Sequence, residues 1–322
     1  MKKIIVTGAG GFIGHHLVKF LKNKGEWVRG IDLKKPEFTK SEADEFIIAD
    51  LRDQESEVFF RDADEIYALA SDVGGVGYLA QHDLAIFYNN HNIDLVTLNG
   101  ALKSKGKKIL FVSSACIYPT SLQGEENCAP LKEADSKLKG VPENIYGMEK
   151  LLSENMFLAA AKNSGLNVRI VRPQNVYGHE DNFQGGKEKA IGALCYKTAV
   201  AKNKGTIEIW GDGKQKRSFC FVEDLVEGMW RLMKSNYDKP LNISIEGMVE
   251  INHVADILNK VSGKNLKYKH NLNATQGVRG RQSDLALMKH ILKWEPKITL
   301  QEGLQKTYEW VVSELKKEKH KK

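Results

Sequence analysis

The length and composition of the chain are those of a folded globular protein. It has 322 residues, of which 42% are hydrophobic and 28% are charged, and its formal net charge is +7. These values exclude extensive disorder, and no apolar run approaches the roughly 20 residues that a membrane-spanning helix needs. We therefore expect one large core, or one main domain with a smaller one attached, and no association with a membrane.

The N-terminal sequence and the cysteines favour a cytoplasmic protein. Met-Lys-Lys leads at once into a strand-like run over residues 4–6, without the longer apolar stretch and cleavage site of a signal peptide. The cysteines show no pairing pattern and no histidine partners at metal-ligand spacing, so we expect free thiols and no metal site. They are Cys116, Cys128, Cys195 and Cys220.

Part of the positive charge is concentrated in a basic tail over residues 316–322, which holds five lysines and one glutamate. Such a run is typical of a solvated helix end, and no basic stripe with interleaved aromatic residues occurs elsewhere. We therefore expect no nucleic-acid partner, whereas the positive balance suits a polyanionic small ligand.

Short β-rich runs alternate with helical patterns in the first half of the chain. This alternation predicts βαβ units on a parallel sheet, and hence an α/β fold with a Rossmann-type doubly wound sheet. The predicted strands cover residues 3–7, 27–31, 45–49, 65–68, 108–113 and 167–172. The predicted helices of this half cover residues 13–24, 86–103 and 144–163.

After about residue 175, glycines, prolines and charged loops separate shorter elements, with late helices predicted over 284–292 and 300–317. We predict that residues 1–175 form the Rossmann domain, joined by some later segments. Residues 176–315 are expected to form mainly a smaller, mostly C-terminal α/β domain that binds the substrate. The ligand is expected in the crevice between the two.

A glycine-rich turn over residues 8–14, Gly-Ala-Gly-Gly-Phe-Ile-Gly, follows the first strand and opens the first helix. Glycines there permit a tight turn and let the backbone approach a pyrophosphate at the helix N-terminus. Asp32 ends the second strand, where a carboxylate accepts hydrogen bonds from the adenosine ribose and repels the extra phosphate of NADP. NAD is therefore the predicted cofactor, although the nearby Lys34 and Lys35 weaken the discrimination against NADP.

The predicted NAD-binding residues are Gly8, Gly11, Phe12, Ile13, Gly14 and Asp32, together with Asp50, Leu51, Tyr146 and Lys150. Asp50 and Leu51 directly follow the third predicted strand, where the adenine of NAD is expected. For Asp50, capping of an ordinary loop is an equally good explanation.

Tyr146 and Lys150 lie four residues apart on one face of a predicted helix. The ammonium group of Lys150 is expected to lower the pKa of Tyr146 and favour its phenolate. The phenolate would take a proton from a sugar hydroxyl while hydride leaves for NAD. Ser114, just after the strand over 108–113, would hydrogen-bond the same hydroxyl.

With these residues the sequence resembles the extended short-chain dehydrogenase/reductase family. The resemblance covers nearly the whole chain, from residues 8–14 through Tyr146 and Lys150 to Trp-Gly-Asp-Gly at 210–213 and Lys-Trp-Glu-Pro at 293–296. It implies a Rossmann fold, nucleotide-sugar substrates, and homodimers built from helices near residues 86–103 and 146–163.

Residues 113–119, Ser-Ser-Ala-Cys-Ile-Tyr-Pro, distinguish between branches of this family. Sugar 4,6-dehydratases carry an Asp-Glu pair where this chain has Ala115 and Cys116, and simple 4-epimerases need no additional base. Cys-Ile-Tyr-Pro is instead similar to two families that act on GDP-sugars, the GDP-mannose 3,5-epimerases and the GDP-fucose synthases. The synthases have a histidine in the segment corresponding to residues 183–189, whereas Gly-Gly-Lys-Glu-Lys-Ala at 185–190 is similar to the 3,5-epimerase pattern.

This resemblance implies epimerisation of GDP-mannose at carbons 3 and 5 through a transient 4-keto sugar, giving GDP-L-galactose or GDP-L-gulose. Cys116 and Lys189 would be the acid/base pair on opposite sides of the sugar ring. On position alone, Cys116 is a small core residue and Lys189 a solvated lysine. The open alternatives are a GDP-fucose synthase-type epimerase/reductase, another nucleotide-sugar epimerase or dehydratase, and a non-catalytic NAD-binding scaffold.

The resemblance also implies where the GDP-sugar substrate is held. Arg217 would pair a phosphate through its planar guanidinium group, with Arg279 and Arg281 as further phosphate or sugar contacts. On spacing alone, each arginine is more often a surface ion-pair partner. The implied substrate-binding residues are Gly74, Gly75, Cys116, Asn175, Lys189, Gln215, Arg217, Arg279 and Arg281.

Overall fold

The computed structural model describes residues 2–321 and contains a central parallel sheet flanked by helices. The strands are β1 (Lys3–Thr7), β2 (Trp27–Asp32), β3 (Glu45–Ile48), β4 (Glu65–Ala68), β5 (Lys108–Val112), β6 (Asn167–Pro173), β7 (Val176–Tyr177), β8 (Thr206–Trp210), β9 (Lys216–Arg217), β10 (Cys220–Phe221), β11 (Pro240–Ile243), β12 (Val249–Glu250), β13 (Lys267–Asn271) and β14 (Gly280–Arg281). The helices are α1 (Phe12–Asn23), α2 (Val76–Leu79), α3 (Asp83–Leu102), α4 (Ile145–Ser164), α5 (Ala190–Val200), α6 (Val222–Lys234), α7 (Ile251–Val261), α8 (Ala286–Leu292) and α9 (Leu300–Lys321).

Seven strands form the central sheet in the order β11-β6-β5-β4-β1-β2-β3, and every neighbouring pair is parallel. The chain runs outward from β1 to β3 on one side and from β4 onward on the other. The strand order therefore reverses between β1 and β4, which is where doubly wound sheets bind ligands. The predicted α/β class with a Rossmann-type sheet is confirmed.

Side chains of β1 show how the sheet divides the core. Ile4 and Val6 pack on one face with residues of α1 and α6, whereas Ile5 packs on the other face with residues of α3 and α4. Successive side chains of a strand point to opposite faces, so helices on both faces bury the whole strand. This explains why residues 4–7 are all apolar or buried.

A further apolar cluster is built from residues between Tyr177 and Val311, mainly on α5, α7, α9 and β8. Strand β11 nevertheless returns to the edge of the central sheet beside β6. The division of the chain at residue 175 stays a prediction.

Residues 316–321 of the predicted basic tail continue α9, and Lys322 lies outside the described residues.

The four cysteines are free, as the sequence predicts. No helix within residues 2–321 combines the length and the apolar character that crossing a bilayer requires.

Candidate active site

The glycine-rich turn between β1 and α1 is too closely packed for larger side chains. A Cβ atom on Gly14 would lie 2.0 Å from the carbonyl oxygen of Gly8, and one on Gly10 would lie 1.9 Å from that of Lys34. Gly8 has φ of +68°, a conformation that glycine adopts without strain. Helix α1 begins at this turn and has no side-chain cap, so its first N–H groups suit a pyrophosphate.

Asp32 hydrogen-bonds to the backbone of this turn. Its carboxylate accepts hydrogen bonds from the backbone N–H groups of Gly10, at 2.9 Å, and Lys34, at 3.1 Å. Burial raises the pKa of Asp32, and these N–H groups partly counter the increase. A cavity bordered by Gly10, Gly11, Phe12 and Lys34 opens beside it. The turn, the open helix end and this carboxylate together fit a dinucleotide.

Asp50 and Leu51 follow β3. The carboxylate of Asp50 accepts hydrogen bonds from the backbone N–H and the guanidinium group of Arg52, both at 2.9 Å, and Leu51 is buried in the core. The hydrogen bond from the N–H of Arg52 makes Asp50 a cap of the local loop, which is one of the two interpretations that the sequence allows.

Helix α4 carries both Tyr146 and Lys150. Asn144 caps the helix by accepting a hydrogen bond from the N–H of Gly147 at 3.0 Å. Burial raises the pKa of Tyr146 above its ordinary value, while the charge of Lys150 and a hydrogen bond with Ser114 lower it. The lowering by Lys150 is as predicted. Burial outweighs that charge, so the net direction of the Tyr146 pKa is upward.

Cys116 lies against the start of the same helix. A Cβ atom on Gly147 would lie 2.2 Å from the carbonyl oxygen of Cys116, so glycine permits this close approach. The hydroxyl of Ser114 accepts a hydrogen bond from the N–H of Cys116 at 3.1 Å. Ser114, Cys116 and Tyr146 therefore share one short region, and Cys116 is half-buried rather than a core residue.

Arg281 joins Cys116 from the later part of the chain. Its guanidinium group donates to Sγ of Cys116 at 3.3 Å, to Glu143 at 2.7 Å and to Gln123 at 2.5 Å. The side chain is almost completely buried. Its donors are therefore directed at the thiol and its neighbours. Arg279, by contrast, pairs with Asp212 at 3.0 Å and with Glu126 near the surface.

Arg217 lies beside Arg281. Burial, reinforced by repulsion from Arg281, lowers the pKa of Arg217 to about 10. Its guanidinium group donates to the backbone carbonyls of Lys216, at 2.8 Å, and Val278, at 2.5 Å. A bound anion would relieve the repulsion between the two arginines, so this pair suits a phosphate group.

Gln215 and Asn175 lie near Arg217, because Gln215 precedes it by two residues and Asn175 contacts the next residue, Ser218. Oε1 of Gln215 is buried without a hydrogen-bond partner among the described residues, so it is available to a donor on a ligand. Asn175 donates to the carbonyl of Ser218 at 3.0 Å and has φ of 40°.

Lys189 lies near the cofactor turn. Its Nζ is 3.8 Å from Oδ2 of Asp181 and 5.6 Å from the ring centre of Phe12. A Cβ atom on Gly75 would lie 2.2 Å from the carbonyl oxygen of Glu188, so the loop of Gly74 and Gly75 supports the segment that carries Lys189. These contacts give Gly75 a structural role in addition to the implied contact with a sugar.

The sequence interpretation missed the carboxylates that surround the site, Glu143, Glu149 and Asp94. Asp94 lies 3.2 Å from Nζ of Lys150 and faces inward from α3. Asn90, Asp94 and Thr97 are all buried at helical spacing. A polar stripe on the face of a helix that packs against the core was the signal that could have found Asp94.

Comparisons with known protein families place most of the chain in one of them. The model of the NAD dependent epimerase/dehydratase family matches residues 4–245. GDP-mannose 3,5-epimerase of Arabidopsis thaliana is 39% identical over 322 residues, covering 99% of this chain and 84% of that protein. GDP-mannose 3,5-epimerase 1 of Oryza sativa subsp. indica is 38% identical over 320 residues, covering 98% and 83%.

Solved structures of similar fold include two epimerases. UDP-glucose 4-epimerase of Thermotoga maritima, solved with UDP-glucose, has a TM-score of 0.85 and 26% identity, covering 97% of this chain and 99% of that one. UDP-glucuronic acid 4-epimerase of Bacillus cereus, solved with UDP-glucuronic acid and NAD, has a TM-score of 0.81 and 25% identity, with the same coverage.

Proposed function

We propose that this chain, which belongs to the NAD dependent epimerase/dehydratase family, is an NAD-dependent enzyme that epimerises GDP-mannose at carbons 3 and 5. Two GDP-mannose 3,5-epimerases that match nearly its full length support this reaction. The observation that carries it is the half-buried thiol of Cys116 between Arg281 and the helix start that bears Tyr146. A 4-epimerase has no use for a second acid/base group, whereas inversion beside a ketone requires one.

The residues of the β1–α1 turn and Asp32 would hold NAD by its pyrophosphate and adenosine ribose. When bound, NAD supplies an acceptor for the hydride of sugar carbon 4 and later returns that hydride. The phenol of Tyr146, once ionised, takes the proton of the carbon 4 hydroxyl, which Ser114 orients. Because burial raises the pKa of Tyr146, the positive charge of Lys150 is what makes this phenolate accessible.

A ketone at carbon 4 makes the hydrogens on carbons 3 and 5 acidic, since the carbanion left behind is delocalised as an enolate. Cys116 and Lys189 exchange these protons, one side chain removing a proton from one face of the ring and the other returning one to the opposite face. Arg281 donates a hydrogen bond to Sγ of Cys116 and so would orient the thiol for this exchange. Oxidation and reduction at carbon 4 cancel, so the sugar undergoes no net redox change.

The nucleotide part of the substrate would lie along β9 and β14. Arg217 and Arg281 present two neighbouring cations, for which a diphosphate is a suitable counter-ion. The buried, unpartnered Oε1 of Gln215 offers an acceptor in the same region. Asn175 is a further proposed contact of the substrate. Arg279 would lie at the edge of the substrate site, because its guanidinium group is paired with Asp212.

We also propose that the protein is a cytoplasmic homodimer. Four apolar side chains on α3 and α4 are exposed, with fractional exposures of 82% for Leu84, 65% for Tyr88, 40% for Met148 and 47% for Leu152. They fall into two pairs at a spacing of four residues, so each pair forms a stripe on its helix. A second copy of the same stripes would cover them by two-fold symmetry. The four free cysteines fit a reducing compartment.

The function is tested by proton NMR of the purified protein with GDP-mannose in deuterium oxide, without added cofactor. We expect deuterium to enter at carbons 3 and 5 and an L-galactose or L-gulose spin system to appear. Tyr146→Phe is the control, because without the ketone neither hydrogen is acidic. No exchange, even after NAD is added, would contradict the proposal. The substrate of the GDP-fucose synthases with NADPH would then be tested next.

A further inference from the structure

Three ionisable side chains are enclosed together behind Tyr146. Nζ of Lys150 lies 3.2 Å from Oδ2 of Asp94, on α3, and 3.5 Å from Oε2 of Glu149, on α4. The fractional exposures are 2% for Asp94, 0% for Glu149 and 1% for Lys150. One ammonium group therefore faces two carboxyl groups in a site that water does not reach.

Two carboxylates that share one buried cation do not both ionise at low cost. Oε1 of Glu149 accepts a hydrogen bond from Ser153 at 2.8 Å, whereas its buried Oε2 has no hydrogen-bond partner in the described part of the chain. A proton on Asp94 provides the missing donor to Glu149. The orphaned oxygen is thus explained if the pair carries a proton.

The electrostatics of the pair agree with this arrangement. Burial raises the pKa of Asp94 to about 7, the charge of Lys150 opposes the increase, and Glu149 adds to it. Although burial lowers the pKa of Lys150, the two carboxyl groups more than offset this, so its net direction is upward. Lys150 therefore stays charged while Asp94 titrates.

We propose that Asp94 and Glu149 share one proton in the working enzyme, and that this proton keeps the charge of Lys150 available to Tyr146. With the proton in place, the ammonium and the carboxyl pair have a net charge of zero. Without it, their net charge is −1, and the added negative charge opposes the phenolate of Tyr146. Asp94 is then a positioning residue whose protonation sets the upper pH limit of the redox step, an inference that rests on the proposed function.

Other side chains surround Asp94, Glu149 and Lys150. Tyr146 on α4 is the group that Lys150 acts on, and the thiol of Cys116 is the remaining titratable neighbour of that phenol. From β5, the ring of Phe111 lies 5.1 Å from Nζ of Lys150 and carries no charge that titrates. Ser153 contributes a neutral hydroxyl. The imidazole of His91 also lies on α3, three residues before Asp94, so the Asp94→Asn and Glu149→Gln variants are needed to assign a titration to the carboxyl pair.

The first test needs no substrate. Infrared difference spectra of the purified protein with bound NAD, recorded in light and heavy water, report the carbonyl band of a protonated buried carboxyl group. We expect this band at about pH 6, its loss as the pH rises past neutral, and its absence from both Asp94→Asn and Glu149→Gln. Identical bands in the wild type and both variants would overturn the proposal whether or not GDP-mannose is the substrate.

The second test is the pH dependence of kcat for deuterium exchange. Between about pH 6 and pH 9 we expect the wild-type kcat to fall about tenfold, and that of Asp94→Asn to fall by less than about twofold. Glu149→Gln should show the same flattened profile, since either substitution leaves one carboxylate for Lys150. A merely structural role would lower kcat at every pH, and a falling limb unchanged in both variants would overturn the proposal. Bound NAD in each variant verifies that it has folded.

Discussion

Arg281 is the residue where the separate parts of the proposed site meet. It comes from β14, yet it contacts Cys116, which follows β5, and Glu143, which precedes α4. A lysine has no planar fork and does not reproduce these simultaneous contacts. A change at Arg281 is therefore expected to affect Cys116 and Glu143 together.

Substituting Cys116 tests the acid/base assignment at the residue scale. We expect Cys116→Ala to abolish solvent deuterium incorporation at carbon 5 of GDP-mannose, because no thiolate remains to exchange that proton. NMR in deuterium oxide measures the effect, with Cys195→Ala as the matched control, since Cys195 is buried in the apolar cluster of α5, α7, α9 and β8 and its change should preserve exchange. Undiminished exchange at carbon 5 in Cys116→Ala would remove the thiol from the mechanism.

Replacing Arg281 tests the energetics of the same contact. Arg281→Met should reduce the free energy of unfolding by about 3 kcal/mol, because Glu143 is left largely buried without its cation. Adding Glu143→Gln should recover part of this loss. Denaturant unfolding of the two single variants and the double variant measures both effects. Additive losses in the double variant would show that the ion pair contributes nothing.

At the scale of elements, α1 is linked to the segment that follows β7. Nε2 of His16 lies 3.0 Å from the carbonyl oxygen of His179, and Lys19 pairs with Glu180 at 2.9 Å. His15 also lies 3.0 Å from Glu180. The cofactor helix is thus attached to the segment that leads to Lys189.

Lowering the pH should weaken this link through His16. Burial lowers the pKa of His16 to about 4, whereas an unfolded histidine titrates near 6.5. The unfolded state therefore binds the proton more tightly, and stability present above pH 6.5 is lost as the pH falls towards 4. The contribution is about 3 kcal/mol in unfolding free energy.

The measurement is denaturant unfolding at a series of pH values for the wild type and His16→Gln. The amide of glutamine still donates a hydrogen bond to His179 but does not titrate. The difference in unfolding free energy between the two proteins should therefore change over this range by the amount attributed to His16. A pH-independent difference would show that His16 is not buried in its neutral form.

For the whole molecule, the proposed homodimer depends on the exposed stripes on α3 and α4. Leu84→Glu combined with Leu152→Glu should convert the proposed dimer to a monomer, because four charges would be buried in each two-fold interface. Sedimentation velocity measures the mass. Leu272→Glu is the matched control, since Leu272 is 66% exposed just after β13 and lies outside both helices. A monomeric wild type, or a double variant that stays dimeric, would contradict this interface.

Much of the fold was predictable because its signals are local. The predicted bounds of β1 and β4 agree with the structure, and those of α4 differ by one residue at each end. Hydrophobic periodicity, glycine turns and strand ends depend on neighbours within a few residues. For the same reason, Tyr146 and Lys150 were recognisable as a pair on one helix face.

The parallel sheet, the glycine-rich turn and the Tyr146–Lys150 spacing follow from the sequence alone, since each is specified over a short stretch of chain. The contact of Arg281 with Cys116, 165 positions away, and that of Asp94 with Lys150, 56 positions away, become visible in the folded protein. The same holds for the burial that raises the pKa of Tyr146. Contacts between distant segments, and the removal of water from charged groups, arise only when the elements pack together.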